Sequence, residues 1–350
     1  MSNNLIMLNL KSFFKEAIKQ DASDVHLVGE EVPMLRVAGE LTPLSEKALS
    51  NKDLETAIFE IISKPDRDQF QEHKELDFAY AVEGARFRVN VHQQDGKIGL
   101  AARLIPVEIP SPKDLDFEPA LLTIPTLLDG LVLVTGPTGC GKSTTIAALI
   151  EQINQERKAH IITVEDPIEF LFQDKKSLIE QREVGSDTDS FAAALKYVLR
   201  QDPNVILVGE MRDPETIAMV LTAAETGHLV FSTLHTSSAA EAIERIVDVF
   251  EGSRQKQVLI QLAAVLRVVV SQELLPGKDG DRVPAREILV NTPAVASLIR
   301  ENNIGQIKSA IQTGAKEGMV TLENSLKALV KNGWISEETA EKRSGRSKRV

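Results

Sequence analysis

The chain has 350 residues, 43% of them hydrophobic, enough for two cores at roughly 150 residues each. Its net charge is −11; the last nine positions hold five basic residues and no acidic one, so residues 1–341 carry −16. That balance, with only 4% aromatics, argues against nucleic acid as a partner, and the single cysteine, Cys140, excludes an internal disulfide. No signal peptide opens the chain and no apolar run reaches the length of a membrane span. The longest candidate, Val258 to Val270, is broken by Gln261 and Arg267, so a cytosolic protein without a transmembrane segment is expected.

Residues 1–20 follow a helical period through Leu8, Phe13, Phe14 and Ile18. Ser23 to Val28 and Met34 to Val37 read as short strands, with a turn at Gly39-Glu40. A second pair is clearer. Phe87, Val89 and Val91 share one face of a strand over Arg86 to His92, and Ile98, Leu100, Ala102 and Leu104 share one over Ile98 to Ile105. The mixture predicts a small α+β domain over residues 1–107. From spacing alone, Arg86, Arg88 and Arg103 read as a solvated sheet face. Pro106, Pro110, Pro112 and Pro125 mark a linker at 108–126.

Beyond it, strands and helices alternate. Leu131 to Thr135 is a buried strand, followed by Gly136-x-x-x-x-Gly141-Lys142-Ser143 and an apolar helical pattern from Ile146. Strand, glycine loop and helix in that order predict a phosphate-binding loop, made of Gly136, Pro137, Thr138, Gly139, Cys140, Gly141, Lys142, Ser143 and Thr144. The glycines let the backbone wrap a polyphosphate, and the loop N–H groups and helix N-terminus supply positive potential. Lys142 is expected on the β/γ-phosphates of ATP, the Ser143 hydroxyl on Mg²⁺, and the Cys140 thiolate is expected to be favoured at the helix N-terminus.

Two later strands end in acids: Ile161 to Val164 runs into Glu165, and Val205 to Val208 into Gly209-Glu210. In an open α/β sheet, ligands bind beyond the carboxyl ends of the strands. Glu210 is therefore assigned to the Mg²⁺ shell and Glu165 to the attacking water. His235 closes another strand and reads either as a structural residue or as a γ-phosphate sensor, while His228, at the opposite end, reads as structural. Further predicted elements are a helix over Phe191 to Leu199, a helix capped by Asp213 with Pro214 at its first position, and a capping box at Ser238 and Glu241. Helices are expected from about 255 onward, and 342–350 forms a basic tail. The fold class predicted is α/β, with an ATPase core over 127–290 and a helical region over 291–341.

With these boxes in view, the sequence resembles the type IV pilus retraction ATPases of the secretion ATPase superfamily. GPTGCGKST matches that family's Walker A; VEDPIEF and QREVGSDT its Asp box; VGEMRDPET its Walker B; and TGHLVFSTLHT its His box. SDVHL and RFRVNV resemble its PAS-like N-terminal domain, and ASLIRE with AIQTGAKEGM its C-terminal signature. The resemblance implies a RecA-like ATPase preceded by a PAS-like domain, a homohexamer, and an inner-membrane platform protein as partner on the cytoplasmic face. It further implies that Arg88 and Arg103 are offered to a neighbour's nucleotide, with Arg182 and Arg200 as further interface or sensor candidates. Pilus extension or type II secretion is the alternative with the same chemistry; its four-cysteine zinc insertion has no counterpart in a chain with one cysteine. A RecA-like nucleic-acid translocase is the other alternative, opposed by the charge balance.

Overall fold

The computed structural model describes residues 8–105, 108–278 and 280–344. Pro106 and residues 345–350 of the basic tail thus lie outside the described residues. The chain divides into two compact units, Met1–Val107 and Glu108–Val350.

In the first unit, α1 (Leu10–Lys19) starts at Asn9, whose side chain accepts the Lys11 N–H. Then come β1 (Ala22–Val28), β2 (Met34–Val37), β3 (Glu40–Pro43), α2 (Asn51–Ile61), α3 (Lys64–His73), β4 (Glu75–Val82), β5 (Ala85–Gln94) and β6 (Lys97–Ile105). Among the described residues the strands form one antiparallel sheet in the order β3-β2-β1-β6-β5-β4. Phe87, Val89, Val91, Leu100 and Ala102 point into a core shared with Phe14 and Leu54, as their alternation predicts. Sequence periodicity missed α3 because it buries only Phe70; its Ser63–Asp66 capping box was the available signal.

The second unit opens with α4 (Pro119–Thr123) and continues through β7 (Gly130–Thr135), α5 (Lys142–Glu156), β8 (His160–Glu165), β9 (Leu178–Glu183), α6 (Phe191–Val198), β10 (Val205–Val208), α7 (Pro214–Glu225), β11 (Leu229–Leu234), α8 (Ala239–Asp248) and α9 (Ser253–Val265). A hairpin of β12 (Leu266–Pro276) and β13 (Arg282–Val290) follows, then α10 (Pro293–Arg300), α11 (Ile307–Thr313), α12 (Leu322–Lys331) and α13 (Glu337–Ser344). The sheet order is β13-β12-β7-β11-β10-β8-β9, parallel except for β13. Its central strands, β7, β10 and β11, are buried along their whole length.

Two expectations change. Helices do not run unbroken from 255: β12 pairs in parallel with β7 and is buried on both faces, so its apolar run carries no alternation to separate it from a helix. Within the stretch at 108–126, Phe117, Ala120, Leu121 and Ile124 enter the core beneath β7 and α5. At α8, Ser238 accepts the Glu241 N–H, but the Glu241 carboxylate bonds the N–H and hydroxyl of Ser237, so the box is displaced by one residue.

Leu121 is fully buried, so Leu121→Ala should destabilise the second unit by about 2–5 kcal/mol. Urea unfolding followed by a probe in that unit checks this; a loss below about 0.5 kcal/mol is what a surface spacer would give.

Candidate functional site: a phosphate loop facing two acids and a histidine

The loop between β7 and α5 follows a path that only glycine takes easily: φ is +144° at Gly136, +77° at Gly139 and +85° at Gly141. A Cβ on Gly136 would stand 2.1 Å from the Gln272 carbonyl oxygen and 2.6 Å from Cys140 Sγ. Pro137, Thr138 and Gly139 form the exposed crest, and α5 begins at Lys142 directly after Gly141. Lys142 is buried, its Nζ donating to the carbonyls of Gly136 (2.9 Å) and Pro137 (3.2 Å). Ser143 and Thr144 are half-buried in the first turn of α5.

Strand order explains why separate segments meet. β7, β11, β10 and β8 are consecutive neighbours, all parallel, so the residues just past their carboxyl ends lie along one edge. That edge carries the phosphate loop, His235, Glu210 and Glu165 in turn. Val208 of β10 is in register with Val164 of β8, which sets Glu210 and Glu165 on adjacent strands.

Glu165 is 8% exposed. Thr163 Oγ1 donates to its Oε1 at 2.7 Å, Gln181 Nε2 to the same oxygen at 3.4 Å, and the Glu169 N–H to Oε2 at 3.5 Å. Burial outweighs these donors and lifts its pKa to about 7, the range a base needs at neutral pH. Glu210 is held on both oxygens, Oε1 by Arg212 Nε at 2.7 Å and Oε2 by His235 Nε2 at 3.5 Å. His228 bonds Thr226 Oγ1 and the Ala223 carbonyl at the start of β11, consistent with a structural part.

Arg88 and Arg103 lie in the first unit, directly paired across β5 and β6. Both are exposed, and Arg103 Nε donates to Asp24 Oδ1 at 2.9 Å. Arg182 Nη2 donates to the Asp187 carbonyl at 3.1 Å.

One expectation about Cys140 fails. Its side chain is 3% exposed and faces inward beneath Gly136, and burial pushes the thiol pKa up despite the neighbouring Lys142. Residues that sequence reasoning passed over include Thr163, Gln181, Arg212 and Gln272. Thr163 was legible, because residues i and i+2 of a strand share a face. Gln272 was hidden in an apolar run; its Nε2 donates to the Cys140 carbonyl at 2.6 Å.

A parallel sheet with a phosphate loop at its carboxyl edge, facing a buried glutamate and a histidine-bound one, defines a RecA-like P-loop nucleotide-binding protein. Comparison narrows the class. Residues 115–346 match the family described as type II/IV secretion system protein. PilT of Pseudomonas aeruginosa, a type IV pilus retraction ATPase, is 47% identical over 327 residues, spanning 93% of this chain and 95% of its own length. A twitching motility protein of Neisseria gonorrhoeae is also 47% identical, over 317 residues, 90% of this chain and 85% of its own. A crystal structure of the pilus retraction motor PilT with bound ADP superposes with a TM-score of 0.90 at 45% identity, covering 98% of this chain and 99% of that one. The chain belongs to the type II/IV secretion system protein family, among its pilus retraction ATPases.

The buried thiol leads to an expectation opposite to that for a reactive loop cysteine. Maleimide should label Cys140 at least about tenfold more slowly in the folded protein than in guanidinium-unfolded chain at the same pH. Equal rates would show the side chain to be accessible.

Proposed function

We propose that this chain is a hexameric ATP-hydrolysing motor that drives type IV pilus retraction, acting as a homohexamer on an inner-membrane platform protein from the cytoplasmic face. The observation that carries the chemistry is the shared edge of phosphate loop, Glu165, Glu210 and His235. The similarity to PilT over nearly the whole length supports the mechanical role. Among the described residues no helix is long and apolar enough to cross a membrane.

The chemistry divides among the residues as follows. The backbone N–H groups from Gly136 to Thr144 and the N-terminus of α5 bind the phosphates of ATP. Lys142, already within reach of the loop carbonyls, adds a positive charge that can turn to the β/γ-phosphates. Ser143 and Glu210 offer a hydroxyl and a carboxylate, hard oxygen donors that suit Mg²⁺, and Glu210 is oriented by Arg212 and His235. These donors would hold Mg²⁺, which when bound would supply positive charge against the phosphates. Glu165 takes a proton from the attacking water; Thr163 and Gln181 orient its carboxylate, and its raised pKa makes it a competent base at neutral pH. His235, with Nε2 3.5 Å from Glu210 Oε2, reports on the γ-phosphate. Arg88 and Arg103, exposed on the first unit, stabilise developing charge on a neighbouring subunit's nucleotide.

Glu165→Gln keeps the shape but not the base, so turnover should fall by about 10²–10⁴ while MgATP binding persists; Lys142→Ala should lose binding. Below the Glu165 pKa of about 7 the carboxyl is protonated and cannot accept a proton. The wild-type kcat/KM should therefore rise with pH to a plateau above that value. A flat profile between pH 5 and 9 together with near-wild-type turnover of Glu165→Gln would sink the assignment.

A mixing experiment tests the arginines. An Arg88→Ala or Arg103→Ala subunit has an intact pocket, and a Glu165→Gln subunit has intact arginines. Mixed rings should regain activity well above either parent, since an arginine in trans contributes about 10³–10⁵ in rate. Absence of rescue after demonstrated subunit exchange removes the trans role.

A further inference from the structure

Arg286 is the largest fully buried side chain of the described residues, 1% exposed, and no step above uses it. It stands in β13 beside Gln272 of β12, its register partner. Its Nε donates to Gln272 Oε1 at 3.0 Å. Nη1 donates to the Asp116 carbonyl (3.1 Å) and Glu118 Oε2 (3.0 Å), and Nη2 to the Leu115 carbonyl (3.0 Å). The guanidinium also lies over the Phe117 ring, 5.3 Å from its centroid. Gln272 is equally committed: its Oε1 also accepts from Thr145 Oγ1 in α5 at 2.9 Å, and its Nε2 holds the Cys140 carbonyl of the phosphate loop.

A continuous path of hydrogen bonds thus runs from the loop through Gln272 and Arg286 to residues 115–118. Those residues belong to the stretch by which the chain passes from its first unit into its second. We propose that Arg286 is a positioning residue that couples the state of the phosphate loop to the anchoring of residues 115–118. Hydrogen bonds are short-ranged and directional, so a shift of the Cys140 carbonyl as the loop closes on phosphate turns the Gln272 amide. That amide has no spare acceptor with which to release Arg286, and the rigid guanidinium fork passes the movement to three partners at once. A lysine, with one nitrogen, cannot bridge Gln272, Glu118 and two carbonyls. The inference rests on the reading of the loop as a nucleotide site.

Hydrogen exchange of a peptide covering 113–122, measured on the full chain with and without MgADP, tests it. ADP affinity measured alongside separates the two claims: no binding at all defeats the nucleotide reading, and binding without a change in this peptide defeats the coupling. In the wild type, ADP should slow exchange there by about tenfold. Arg286→Lys should weaken ADP by about tenfold, the weight of one hydrogen bond on a buried group, and should abolish the slowing. Glu118→Gln, which contacts neither the loop nor Gln272, should weaken ADP two- to threefold, on the order of half that effect. Wild-type affinity and slowing retained in both variants would overturn the proposal, and the wild-type arm alone can overturn it if Arg286→Lys does not fold.

Discussion

Gly136 brings its backbone against that of Gln272 so closely that no side chain fits between them. The phosphate loop depends on that approach, and the approach depends on β12 lying parallel to β7, with Ser271 in register with Thr135 and their hydroxyls 2.8 Å apart. The floor of the loop is therefore supplied by a strand more than 130 residues downstream of it. A loop cut out with only β7 and α5 would have its glycines and its helix N-terminus but nothing to shape it.

The same sheet sets the chemistry by depth. Glu165 is buried and its charge disfavoured, whereas Glu210 keeps an arginine and a histidine on its carboxylate. Two carboxylates on adjacent strands thus differ in environment, one desolvated and the other beside an arginine and a histidine, which suits them to the different parts proposed for them. Thr163 and Gln181 reach Glu165 from the same strand and from its neighbour, so its orientation is fixed by β8 and β9 together.

Much of this was legible in the sequence, for reasons that differ by element. The phosphate loop announces itself because glycine, lysine and serine spacing is dictated by local backbone geometry. The place of the acids at the carboxyl ends of β8 and β10 was legible, but a strand ending in Glu alone reads equally as a strand-end cap or a surface ion pair, and only the phosphate loop upstream sets these two apart. What stayed hidden is what depends on distant contacts. β12 shows no period because both its faces are buried; residues 115–124 look like a proline-marked spacer because only the folded core reveals what covers Leu121. Cys140 was misread because helix N-terminal potential is a local property, while the inward turn of its side chain beneath Gly136 is not. Arg286 would pass for a surface residue in any linear reading.

β9 stands at the edge of the sheet, paired on one side with β8 among the described residues. Its sequence, Leu178-Ile-Glu-Gln-Arg-Glu183, is polar for a parallel strand, and charged residues at an edge discourage the strand from pairing with another chain. The same six residues deliver Gln181 to Glu165. Protection of a sheet edge and the orientation of a buried carboxylate therefore rest on one strand. Hydrophobic substitutions at Glu180 or Arg182 would first surface as insoluble protein, masking the effect of a misaligned Gln181 on Glu165.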